Sequence, residues 1–121
     1  MSISRQALER MKEVIGGDKA VLAEILQSFI DEAEPLAESI LSAARDGRLD
    51  TLGRAAHTIK SSARDFGDAR LAALCADIEL RSKQGSVSNA VACSQQIAQG
   101  CIALKEELAA YIGAEMNGEI P

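Results

Sequence analysis

The sequence carries a single histidine, His57, the residue type whose ordinary titration falls nearest neutral pH. On a helix its neighbours at i−4, i+3, i+4 and i+7 are Gly53, Lys60, Ser61 and Arg64. Two of these are very small and two are cations. Gly53 and Ser61 leave little bulk one turn either side of the ring, so another macromolecule can come close to a ring nitrogen. A glycine inside a helix costs about 1 kcal/mol relative to alanine, and close approach is a reason to keep one. Lys60 and Arg64 put positive charge where a transferred dianionic group would sit, as cationic clamps do in phosphoryl transfer. They also disfavour an imidazolium between them, which keeps the ring neutral and nucleophilic. The same strip is equally what a solvated helix face looks like, and the spacing by itself leaves both readings open.

The elements that position this strip are helices. Alanine, leucine, glutamate, arginine and glutamine are plentiful, while β-branched runs and hairpin dipeptides are scarce. A short first helix is predicted from about Arg5 to Ile15, stopped by Gly16-Gly17, with Asp18 able to cap the next. The second carries a broad apolar stripe from Val21 through Leu26, Phe29, Ala33, Ala37 and Ile40 to Ala44, is interrupted and kinked by Pro35, and ends near Asp46-Gly47. The third begins at Leu49 or Asp50 and reaches Phe66 before Gly67. Asp68 can cap a fourth, with Leu71, Leu74, Cys75 and Ile78, ending near Gly85. The fifth starts after Ser86 or Ser88, runs through Val91, Ile97, Cys101, Leu104 and Leu108 to Tyr111, and frays at Gly113.

Four long amphipathic helices with short polar turns bury their stripes best as an antiparallel up-down four-helix bundle, here with the short N-terminal helix across one end. The fold class is therefore all-α, one domain over residues 1–113, with 114–121 as a loose tail. On the third helix Leu49, Leu52, Ala56, Ile59, Ala63 and Phe66 fall in one stripe at alternating 3,4 spacing, and His57 lies about 130° from its middle. The imidazole is thus expected to project outward.

Composition removes most other chemistries. A formal net charge of −5 in 121 residues, no tryptophan, and only Phe29, Phe66 and Tyr111 as aromatics argue against nucleic-acid binding. The apolar runs are too short for a membrane span and the N-terminus lacks a secretion pattern, so the cytoplasm is the expected location. Cys75, Cys93 and Cys101 form no CxxC, and one histidine cannot complete a zinc site at plausible spacing. The cysteines are expected to be buried apolar residues, and no metal site is expected. A lone histidine also excludes Ser/His/Asp, HExxH and di-iron constellations within the chain. Residues 51–64 hold Arg54, Lys60 and Arg64 and no acid, a local +3, so the remainder sums to −8 (−5 minus 3).

The string AAHTIKSSARDFG, residues 55–67, resembles the signature of histidine-containing phosphotransfer (HPt) domains: a histidine, two residues, a lysine, a small Gly/Ser-rich stretch and, after a short polar segment, a glycine. The matching positions are His57, Lys60, Ser61, Ser62, Ala63 and Gly67. FIDEAEPLAESILSAARDGRLDTL before the motif and ARLAALCADIE after it are similar to the family's flanking helices, so Phe29 to Glu79 is covered well, residues 86–112 only in helical character. Ser61 stands where glycine is commonest, Asp65 replaces a frequent asparagine, and Asp68 follows Gly67 where alanine is common.

The resemblance implies a monomeric bundle in which His57 accepts a phosphoryl group on Nε2 from a receiver-domain aspartate and passes it to another receiver. The partners it implies are the receiver domains of hybrid sensor kinases and response regulators. By position, Lys60 steadies the phosphoryl group and Ser61 permits approach. Phe29 and Ile30 are placed on or under an apolar docking surface, with Gly53 and Arg64 as further docking positions. No cofactor of its own is implied, because the Mg²⁺ belongs to the partner receiver. The dimerisation domain of sensor kinases also bears a phosphorylated histidine, but there an acidic residue and then a proline follow it. Here Thr58 follows, and there is no room or Gly-rich box for a nucleotide-binding domain, so autokinase activity is not expected. The alternative from the binding class is an adaptor that docks or sequesters receivers without carrying phosphate.

Overall fold

The computed structural model describes residues 3–116. Five α-helices follow one another: α1 (Arg5–Val14), α2 (Lys19–Asp46), α3 (Leu49–Phe66), α4 (Ala69–Lys83) and α5 (Ala90–Tyr111), closed by a π-helical turn over Ile112–Met116. The described residues contain no strand. Three of the five helix starts have a side-chain cap. The Ser4 hydroxyl accepts from Ala7 N–H, the Asp18 carboxylate accepts from Ala20 and Val21, and Asp68 accepts from Leu71, each satisfying an otherwise orphaned first-turn donor. Gly47 and Gly67 end α2 and α3 in the left-handed conformation that other residues resist. Pro35 lies on the exposed side of α2, which continues through it; the carbonyl it frees can turn to water there.

α2 packs along α5 and α3 along α4, with α2–α3 and α4–α5 contacts closing the ring. This is the antiparallel four-helix bundle with an added N-terminal helix. Its core holds fully buried Leu22, Leu26, Ile40, Leu52, Ile59, Ile78, Ile97, Leu104 and Leu108, one to three from every long helix. The two phenylalanines meet edge to face at 5.5 Å, joining α2 to the end of α3. α1 seals the end of the bundle where α3 finishes and α4 begins. Ser4 N–H donates to Phe66 C=O at 3.0 Å, and Ile3 N–H donates to Glu107 Oε1 at 2.9 Å. Gly67 makes this seal possible, because a Cβ there would stand 2.3 Å from the Ser4 Cβ.

Several local expectations change. α5, expected to begin after Ser86 or Ser88, starts at Ala90 with Asn89 before it in the left-handed region at φ 60°. The chain does not fray at Gly113: it continues as the π-helical turn, and Glu115 pairs with Arg5 at 3.1 Å. Residues 114–116 of the expected tail therefore belong to a helical turn, and 117–121 lie outside the described residues. Val21 and Val91, assigned to apolar stripes, are exposed, while Ala43 and Ala55 are buried. Cys75 and Cys101 are buried, and burial pushes each thiol up to about 12. Cys93 departs from the expectation, being half-buried with the Arg81 guanidinium donating to its Sγ at 3.3 Å. No helix among the described residues is long and apolar enough to cross a membrane.

Candidate functional site

His57 projects outward from α3, its side chain 61% exposed. The ring is nonetheless held. Its Nδ1 lies 2.8 Å from Glu79 Oε2, and the other oxygen of that carboxylate, Oε1, accepts from Lys60 Nζ at 2.5 Å. Turn geometry brings these residues level. His57 is ten positions before Gly67 and Glu79 twelve after it (67 minus 57; 79 minus 67), which at 1.5 Å per residue puts both about 15 to 18 Å from the turn on antiparallel helices. Glu79 extends the 3,4-spaced buried series Ala72, Cys75 and Glu79 on α4, so a carboxylate occupies a place where the core stripe would otherwise go on.

Glu79 and Lys60 are both largely enclosed, their side chains 12% and 14% exposed. The Lys60 hydrogen bond holds the Glu79 carboxyl below the ordinary carboxylate range; burial pushes the other way, and the His57 contact adds to the lowering. Lys83 stands further off, Nζ 3.9 Å from Oε2. An ionised carboxylate can only accept, so in this contact a neutral ring carries its proton on Nδ1 and its lone pair on Nε2, at the opposite edge of an exposed ring. Such a ring is a nucleophile with one nitrogen available.

This geometry corrects the electrostatic expectation. Lys60 is not an outward cation in a strip with His57: its four-carbon stem lies along the α3–α4 seam and its ammonium is paired with Glu79. The nearest charge to the ring is therefore negative, and the argument that flanking cations repel an imidazolium fails. Gly53 also has a different cause. A Cβ there would come within 3.3 Å of the Ser82 Cβ, so its missing side chain admits α4, and the space beside the ring follows from that close packing. Gly53, Arg54, His57, Glu79, Ser82 and Lys83 line an open groove of about 450 Å³ between the two helices.

The other singled-out residues fall elsewhere. Ser61 is exposed on α3 one turn beyond His57. Arg64 is exposed but opens on a separate groove against Ala7, Met11 and Val14 of α1. Phe29 is buried against Phe66, and Ile30 is half-buried on α2; neither lines the His57 groove. Glu79 was missed by sequence reasoning, although its signal was present: an acid on the flank of an apolar stripe, at matching height across a glycine turn. Among the described residues, no group of three or more His, Cys, Asp or Glu side chains is placed to hold a metal ion.

The Hpt domain model matches residues 24–114, three quarters of the chain. The chain belongs to the Hpt domain family. Its activity is thus that of a phosphocarrier, histidine phosphotransfer in a phosphorelay, exchanged with receiver domains. This Hpt domain is similar in structure to the crystal structure of histidine-containing phosphotransfer protein B (HptB) from Pseudomonas aeruginosa PAO1, with a TM-score of 0.79 over 90% of this chain and 92% of that one. Identity across that match is 20%, so the likeness speaks to the fold. A sequence search of curated proteins returns no match. The Hpt match begins inside α2, so α1 is an addition in front of it.

Proposed function

We propose that His57 is the phosphoacceptor of this Hpt domain, taking the group from a receiver aspartate on Nε2 and passing it to a second receiver. The carrying observation is that the chain has one histidine, and that this histidine is exposed with Nδ1 tied down. The Nε2 lone pair attacks phosphorus in line as the acyl-phosphate P–O bond breaks, and the electron pair leaves on the receiver's aspartate. Lys60 offers three donors and gives one to Glu79, so it has donors to spare for phosphoryl oxygens. Ser61 keeps the approach to the ring open and Gly53 borders the docking face, while Phe29, Ile30 and Arg64, outside the His57 groove, serve only a receiver whose footprint extends beyond it.

In this reading the chain works as a cytoplasmic monomer between the receivers of a hybrid sensor kinase and a response regulator. It has no autokinase activity and no cofactor of its own; the Mg²⁺ of the transfer is held by the receiver. The test is incubation with a phosphorylated receiver. Acid-labile, base-stable label is expected on the chain and absent in His57→Gln. Label that survives this substitution overturns the assignment, and a receiver complex that forms but never transfers label favours a non-catalytic adaptor.

A further inference from the structure

We propose that the seam between α2 and α5 is a second docking surface, one that takes a cationic amphipathic helix of a partner protein; this does not depend on which residue carries the phosphoryl group. The packing order of the bundle, α2 against α5 and α3 against α4, puts this seam on the side opposite the His57 groove. The two sites are also level. His57 is nine positions after Arg48 in the α2–α3 turn and Glu38 is ten before it (57 minus 48; 48 minus 38), about 14 to 15 Å along antiparallel helices at 1.5 Å per residue. A partner held on this side therefore leaves the histidine face clear.

The seam is an open groove of about 500 Å³ with an apolar floor and an acidic rim. Ala37 and Ala98 are buried at its base, and their small side chains keep it open; Leu41 and Ile102 are half-buried and add apolar surface to the floor. Glu34 and Glu38 stand exposed on the α2 side and Glu106 on the α5 side, and no cation lines the groove. Lys105 of α5 pairs with Glu34 at 3.1 Å, while Glu38 and Glu106 have no ion-pair partner among the described residues. Nucleic acid and anionic lipid meet like charge here, and a neutral apolar segment would desolvate the two carboxylates without answering them. A segment that is apolar on one face and bears lysine or arginine on its flanks satisfies both the floor and the rim.

The dimensions fit a helix. Glu34 to Leu41 is seven positions and Ala98 to Glu106 is eight (41 minus 34; 106 minus 98), so the groove runs about 10 to 12 Å, or two helical turns. That is the span of apolar anchors at i, i+3 or i+4, and i+7, the pattern with which an amphipathic helix enters a groove. Glu38 and Glu106 stand on opposite sides of the floor, so cations on both flanks of the incoming helix find a carboxylate.

The experiment titrates the intact, ¹⁵N-labelled chain with a synthetic peptide of about 15 residues, leucines on one face and lysines on both flanks, and with a scrambled peptide of the same composition that has no apolar face. The amphipathic peptide is expected to shift the amides of residues 34–41 and 98–106 and to leave those around His57 in place, and the scrambled one to bind at least about tenfold more weakly. Glu38→Lys combined with Glu106→Lys, both exposed, should weaken the amphipathic peptide by about tenfold or more. Leu41→Gln should weaken it with no change in charge. Labelling of the chain by a phosphorylated receiver should be the same in the charge-reversed variant and at saturating peptide. Failure of the amphipathic peptide to bind, equal binding of the scrambled one, shifts centred on the α3–α4 groove, wild-type affinity in the charge-reversed chain, or labelling blocked by the peptide overturns the proposal. So does self-association of the chain in sedimentation that the charge reversal abolishes, because the occupant is then a second copy.

Discussion

α4 carries a buried carboxylate in each half, and the two are used in opposite ways. At its start Asp68, 3% exposed, accepts from Leu71 N–H at 3.1 Å and caps the helix. Burial pushes its carboxyl above the usual range, and that hydrogen bond pulls only part of the way back. Three turns later Glu79 is almost as enclosed, yet its carboxyl is held below the usual range by Lys60 and then His57. The difference is what faces each group. Asp68 meets a backbone dipole at a helix start; Glu79 meets a cation and the exposed imidazole. Burial of a carboxylate is therefore no guide to its role until its partners are named.

The comparison breaks most visibly if Glu79 is removed. Glu79→Ala leaves the ammonium of Lys60 without its partner in the seam, and a cost of about 2 kcal/mol is expected, less than the loss from a fully enclosed pair because Lys60 can swing to solvent. Phosphoryl acceptance should fall together with stability, read by urea unfolding and by labelling from a phosphorylated receiver. Asp68→Ala should separate the two readouts. Loss of an N-cap costs about 1 kcal/mol, and the labelling rate of the folded protein should stay within about twofold, a change of roughly 0.4 kcal/mol. A labelling loss in Asp68→Ala equal to that in Glu79→Ala would erase the distinction.

The smallest effect expected is in the pH dependence of stability, where the two groups have opposite signs. Glu79 has a folded pKa below its ordinary 4.5, so its contribution is present above that value and is lost as pH falls through the folded one. Asp68 has a folded pKa above its ordinary 3.8, so the folded state binds its proton first and stability falls as pH rises from 3.8 through the folded value. Unfolding curves between about pH 3 and 6 should flatten at the acid end in Glu79→Gln and become steeper there in Asp68→Asn. Parallel curves for both variants and the wild type would contradict the assignment of opposite roles.

Much of this architecture is legible in the sequence because its determinants are local. Asp18 and Asp68 announce helix starts, Gly47 and Gly67 announce ends, and the apolar spacing of α3 turns His57 outward without any knowledge of its neighbours. What was not legible depends on the partner helix. A wheel places Lys60 beside His57, but only the α3–α4 seam shows its long stem lying inward towards Glu79. Gly53 has a plausible reason in the approach of another molecule, yet Ser82 from the next helix supplies the nearer one. The left-handed Asn89 that precedes α5 escaped because such a residue before a helix has no strong sequence mark when serines stand nearby. The motif marks the exposed histidine, and the carboxylate that touches its ring comes from outside the motif.

The most direct test of the central claim is the position of the phosphoryl group itself. With the chain labelled through a receiver aspartate and kept at alkaline pH, mass spectrometry of its peptides and ³¹P–¹⁵N correlation should place the phosphorus on His57, bonded to Nε2. Phosphorus on any other side chain, or bonded to Nδ1 of His57, would contradict the account.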